Sequence, residues 1–198
     1  MQEINFTSTI LKNDIATIAL MAANQGEGNT TATVEMAFAM KTYSKGRVLT
    51  VDMSAMGPGL ADAIRQRVGK ELEYGQKEEF GPVNGVMAHS DGVFILSLDE
   101  GEAEKLNLDR KKTAAWLETL ASSYDYVLFD MPSFSRNPEY VIFLQSVNGV
   151  VLTLNCKTSR WDSALNMKER LSEANVNIIG AVLNQRIFPI PGSIYSLL

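Results

Sequence analysis

The 198-residue chain is 45% apolar and 21% charged, a composition that excludes a disordered polymer and suits one core and one domain spanning residues 1–198. A formal charge of −5, with no run of basic residues, removes the electrostatic basis for nucleic-acid binding. One cysteine, Cys156, and one histidine, His89, exclude an internal disulfide, a four-cysteine metal site and a Ser-His-Asp triad built within the chain.

Cys156 closes an apolar run and is expected to be packed, whereas His89 is expected in a loop. The longest apolar runs fall short of the roughly 20 residues that a membrane span needs. The start Met1-Gln2-Glu3-Ile4-Asn5 lacks the basic opening of a signal peptide, so a cytoplasmic location is expected.

In chain order, the first apolar run, Ile15–Ala23, predicts a buried strand and leads into the glycine-rich stretch Asn24-Gln25-Gly26-Glu27-Gly28-Asn29-Thr30-Thr31. A helix is predicted over Thr31–Tyr43, with Met36 and Met40 at i,i+4 spacing on its core face. Val48–Asp52 predicts a second strand, Gly59–Val68 a helix, and Gly69 to Ser90 a polar surface excursion with one short helix. Strands are predicted again at Val93–Leu98, Tyr126–Asp130, Val150–Leu154 and Ile178–Leu183. Helices at Lys111–Ser122, Pro138–Gln145 and Arg160–Ala174 separate most of them, the last packing through Trp161, Ala164 and Leu165. This alternation predicts an α/β fold with a mainly parallel central sheet and helices on both faces. Ligands of such sheets bind beyond the carboxyl ends of the strands.

A strand, a tight glycine loop and a helix N-terminus together aim backbone N–H groups at an anion. Gly26 and Gly28 give the backbone room to approach a phosphate, and Thr30 stands where such loops place a magnesium-binding hydroxyl. The loop alone also reads as a glycine-rich turn in which Thr30 or Thr31 caps the helix. Two further strand ends favour the phosphate reading. Asp52 follows Val48-Leu49-Thr50-Val51, and Asp130 follows Tyr126-Val127-Leu128-Phe129, and parallel strands deliver both acids to the loop's edge of the sheet.

With these motifs in place, the chain resembles the cytoplasmic domain of bacterial tyrosine kinases of capsule and exopolysaccharide assembly, within the MinD/ParA-type P-loop NTPase proteins. The matching stretches are Gly26–Thr30, Val48–Ser54, Pro58-Gly59-Leu60, Tyr124–Pro132, Gly180–Asn184 and Ile190–Tyr195. The resemblance implies ATP or ADP with magnesium as ligands. Nucleotide would be held by Gly26, Glu27, Gly28, Asn29, Thr30 and Thr31, with Asn184 facing adenine. Thr30, Asp52 and Asp130 would face the metal, and Asp52 and Asp130 would be the residual catalytic groups.

The chain departs from that pattern where the chemistry lies. Asn29 replaces the loop lysine, Ala23 its first glycine and Asn24 the second, signature lysine, while Ser54 and Met56 replace an aspartate and a frequent arginine of the second motif. Phosphoryl transfer depends on positioning and charge stabilisation, so these losses predict a pseudoenzyme with nucleotide binding weakened or lost. An arginine such as Arg160, or one from a partner, is the alternative source of charge. Residues 1–14 hold no arginine for the family's ring-assembly motif, and Tyr124 and Tyr126 suit structural roles better than phosphate acceptance. The apolar residues of 187–198 suit a partner better than a membrane helix.

The resemblance therefore implies a non-catalytic or weakly catalytic scaffold or regulator in exopolysaccharide biosynthesis or export. A protein partner such as a membrane polysaccharide co-polymerase is expected, with membrane association through it and homo-oligomers of this chain. The alternatives are an active ATPase or tyrosine kinase that tolerates Asn29, and a MinD/ParA-like positioning factor for a cell-envelope machine.

Overall fold

The computed structural model describes residues 15–53, 59–80, 83–98 and 101–185. Ser54, Met56, Pro58 and the 187–198 segment, all named above, lie outside them. The elements run β1 (Thr17–Ala22), α1 (Asn29–Ser44), β2 (Val48–Asp52), α2 (Gly59–Val68), β3 (Glu73–Phe80), β4 (Val83–Ser90), β5 (Val93–Leu98), α3 (Glu102–Leu108) and α4 (Arg110–Ser123). There follow β6 (Tyr126–Asp130), a 3-10 turn at Pro138–Tyr140, α5 (Val141–Leu144), β7 (Gly149–Asn155), α6 (Trp161–Glu173) and β8 (Ile178–Asn184).

The strands form one sheet in the order β3-β4-β5-β2-β6-β1-β7-β8. From β5 to β8 every pairing is parallel, and β3 and β4 add an antiparallel edge. Because side chains alternate along a strand, each central strand feeds two cores. Ile18 and Leu20 of β1 join Ala37 and Met40 of α1 and Leu60 and Ile64 of α2 on one face. Ala19 and Met21 join Trp116 of α4, Phe143 of α5, and Met167 and Leu171 of α6 on the other. This two-faced burial explains why the strands appear in sequence as continuous apolar runs.

Local signals set the helix ends. The Asp109 carboxylate accepts from the Lys111 and Lys112 N–H groups at 3.0 and 3.1 Å and starts α4. Lys45, at φ 57°, ends α1 in the left-handed region. Among the described residues, no helix is long and apolar enough to cross a membrane.

Several expectations are corrected. The Gly69 to Ser90 stretch is a β-hairpin, not an excursion with a helix, and it places His89 in β4, its Nε2 3.3 Å from a Glu73 carboxylate oxygen. α3 had no counterpart in the sequence reading, and Pro138–Gln145 divides into a 3-10 turn and one short helical turn. Cys156 is exposed, just beyond the end of β7. Trp161 is 77% exposed, and α6 is anchored instead by Met167 and Leu171. Met40 is buried with Met36 packed beside it, as expected. Tyr124 is buried under the Arg47 guanidinium, 4.7 Å from its ring centre, which suits a structural tyrosine.

Phe129 lies at the middle of one core, its ring 5.7 Å from that of Trp116 and 5.1 Å from that of Phe143. Phe129→Ala is expected to cost about 3–5 kcal/mol. Urea unfolding followed by circular dichroism would show the midpoint falling with an unchanged slope.

Candidate functional site

β1 ends under the glycine loop and α1 starts at Asn29, so the loop spans the carboxyl edge of the sheet. Gly26 and Gly28 have φ of 83° and 87°, the left-handed region that a side chain disfavours. At Gly28 space adds a second constraint, since a Cβ there would lie 1.8 Å from Asn184 Nδ2. Asn184, at the end of β8, donates this amide to the Glu27 and Gly28 carbonyl oxygens at 3.3 and 3.4 Å. In this arrangement Asn184 fastens the loop, a role that sequence reading did not give it.

The loop borders a cavity of about 570 Å³. Of the sequence-expected residues, Gly26, Glu27, Gly28, Asn29, Thr30 and Asp130 line it, whereas Thr31, Asp52 and Asn184 do not. Thr31 is exposed on α1. Asp52 pairs in register with Asp130, but its Oδ2 accepts from the Leu60 N–H at 3.2 Å and so holds the start of α2. Gly59 has φ 26°, and a Cβ there would lie 2.3 Å from this same oxygen, so a larger residue would displace the Asp52 carboxylate. Glu104, Ser133, Arg136 and Tyr140 also line the cavity, and the sequence motifs do not single them out. Burial first, and then the Glu104 and Glu139 charges, push the Tyr140 hydroxyl up to about 12, so it remains a neutral phenol.

Asn29 does not point at the phosphate position as a loop lysine would. Its amide Nδ2 donates inward, to the Leu20 carbonyl at 2.8 Å, Asp130 Oδ1 at 2.7 Å and the Met131 carbonyl at 3.0 Å. Thr33 adds its hydroxyl to the same cluster, 3.0 Å from the Asn29 carbonyl and 3.4 Å from Asp130 Oδ1. Two buried oxygens, Asn29 Oδ1 and Asp130 Oδ2, have no hydrogen-bond partner. Beside them, the buried Glu27 carboxylate folds back onto the loop and accepts from the Asn24 N–H at 3.1 Å and the Asn24 side-chain amide at 3.3 Å.

The charge balance of the cavity follows. Glu27, Glu104 and Asp130 face one cation among the described lining residues, Arg136. Burial raises the Asp130 carboxyl to about 7, the Asp52 charge adds to the rise, and the Thr30, Asn29 and Thr33 side chains oppose it. The backbone of the loop fits a phosphate group. Asp130 Oδ2 and Thr30 are hard oxygen donors that fit magnesium, which normally takes one or two carboxylates and completes its shell with phosphates and water. Among the described residues there is accordingly no ready-made cluster of three or more acidic, His or Cys ligands. What position 29 fails to supply is positive charge for the phosphates.

No protein-family model and no curated protein matches the chain. Solved structures do. The kinase domain of the Escherichia coli tyrosine kinase ETK is 21% identical with a TM-score of 0.69, over 93% of this chain and 75% of that one. The kinase domain of VpsO is 20% identical with a TM-score of 0.69, over 91% of both chains. Cobyrinic acid a,c-diamide synthase from Mycobacterium smegmatis, solved with a bound ATP analog and magnesium, is 18% identical with a TM-score of 0.63, over 92% and 78%. The chain thus has the P-loop NTPase fold common to bacterial tyrosine kinase domains and MinD/ParA-like proteins.

The Asp130 environment predicts a pH dependence. A carboxyl at about 7 in the folded chain, against 3.8 as its ordinary value, binds its proton more tightly folded than unfolded. Its contribution to stability is therefore complete below pH 4 and is lost as the pH rises through 7. Asp130→Asn keeps an acceptor for Asn29 and removes the buried charge. Thermal melts in metal-free buffer should show the variant more stable than wild type by about 2–4 kcal/mol at pH 8, converging below pH 4.

Proposed function

We propose that this chain is a kinase-like P-loop module in which a nucleotide pocket is retained for binding while phosphoryl transfer is lost or weak. It would serve as a non-catalytic or weakly catalytic scaffold or regulator in exopolysaccharide biosynthesis or export. The observation that carries this reading is the inward Asn29 amide. Its two hydrogens are shared among the Leu20 carbonyl, the Asp130 carboxylate and the Met131 carbonyl, and a neutral amide so placed cannot neutralise charge developing on a transferred phosphoryl group.

Nucleotide and magnesium remain the ligands that the site's chemistry suits. Loop N–H groups and the α1 N-terminus would receive phosphate, and Thr30 and Asp130 would hold the metal, which when bound would offset phosphate charge. The synthase of the same fold was solved with an ATP analog and magnesium, which supports this ligand class. The resemblance of the motifs to kinases of capsule and exopolysaccharide assembly, together with kinase domains of like fold, supports a place in polysaccharide assembly in the cytoplasm, through a protein partner such as a membrane co-polymerase.

Calorimetric titration with MgATP, followed by phosphate-release and autophosphorylation assays, tests the proposal. Saturable binding is expected with turnover at least about a hundredfold below the roughly 1–100 s⁻¹ of kinases. Turnover within that range, abolished by Asp130→Ala, would overturn it.

A further inference from the structure

The cavity's single described cation has a setting that suits it to a ligand. Arg136 belongs to the segment after β6, which is bound to the strand leading into the glycine loop. The Phe134 N–H donates to the Ala22 carbonyl at 2.9 Å and the Ser135 N–H to the Ala23 carbonyl at 3.0 Å. A turn then fixes Arg136 itself, since the Arg136 and Asn137 N–H groups both reach the Ser133 carbonyl at 3.1 Å. The Ser133 hydroxyl on this wall is buried and has no hydrogen-bond partner. The Arg136 side chain forms no hydrogen bond or ion pair with a described residue, although the cavity it lines also holds Glu27, Glu104 and Asp130. Arg160, the arginine that the sequence suggested, sits before α6 as its N-cap residue and does not line the cavity.

We propose that Arg136, which lines the same cavity as the glycine loop, binds the terminal phosphate of a nucleoside triphosphate. This rests on the nucleotide-pocket reading above and adds a discrimination to it. A guanidinium offers a planar fork of donors that suits phosphate oxygens, and a pocket with excess carboxylate needs that charge most where the ligand is most negative. The Ser133 hydroxyl is free to donate to the same phosphate. The pocket therefore distinguishes triphosphate from diphosphate by Arg136, with no step of transfer.

The test is calorimetry of the full chain in excess magnesium with a non-hydrolysable ATP analogue and with ADP, for wild type, Arg136→Ala, Arg136→Lys and Arg160→Ala. Arg136→Ala should weaken the triphosphate analogue by about tenfold to a hundredfold and ADP by less than about threefold. Arg136→Lys should recover part of the loss, and Arg160→Ala should match wild type. Equal loss of both nucleotides, or no loss of either, in Arg136→Ala overturns the proposal while the nucleotide-pocket reading stands. Failure of wild type to bind either nucleotide defeats that reading and this proposal with it. Should the alanine variant not fold, as judged by its melt, Arg136→Gln repeats the comparison with the side chain's length and polarity kept.

Discussion

One side-chain amide joins the parts of the chain that must come together for this site to exist. Asn29 Nδ2 bridges the Leu20 carbonyl of β1, the Asp130 carboxylate of β6 and the Met131 carbonyl beyond it. Leu20 and Asp130 are already register partners in adjacent strands, so the amide seals the carboxyl end of the sheet beneath the loop. The same bonds hold Asn29, the first residue of α1, and so fix the end of the loop. Where a loop lysine would extend towards phosphates, this chain uses position 29 for internal architecture. The cost is a cavity with more carboxylates than cations.

The acids around this amide divide their work. Asp130 is buried beside a second carboxylate, and burial raises its carboxyl against the opposing Thr30, Asn29 and Thr33 side chains. Asp52 has a structural partner in the Leu60 N–H and supports α2. Glu27 satisfies Asn24 at the start of the loop, a donor that a phosphate ligand would otherwise compete for. Glu27 thus ties the loop to its own start, while Asp52 ties the end of β2 to the start of α2.

Most of the architecture was legible in sequence because strands buried on both faces leave near-continuous apolar runs, as in Val48-Leu49-Thr50-Val51 and Val127-Leu128-Phe129. The hairpin was not, because β3 lies at the sheet's edge and its Glu-Tyr-Gly-Gln-Lys-Glu-Glu-Phe sequence carries the charges that edges tolerate. α3 was missed because seven residues are too few for a helical period to emerge. At the site, motif spacing pointed to the loop, Thr30 and Asp130, which the sheet topology brings to one cavity. Spacing could not reveal that Asn184 fastens the loop or that Asp52 holds α2, because those roles depend on side-chain direction. Arg136 belongs to no motif. The one signal available was its place six residues beyond Asp130, in a segment that had to return across the strand ends.

The inward amide is directly observable by nuclear magnetic resonance. In ¹⁵N-labelled protein the Asn29 side-chain amide, assigned by its loss in Asn29→Asp, should exchange slowly with water. Its shift should follow a titration centred near 7, the value to which burial raises Asp130, and that titration should vanish in Asp130→Asn. A rapidly exchanging amide with solvent-like, pH-independent shifts would mean that Asn29 points into the cavity, and would contradict the account.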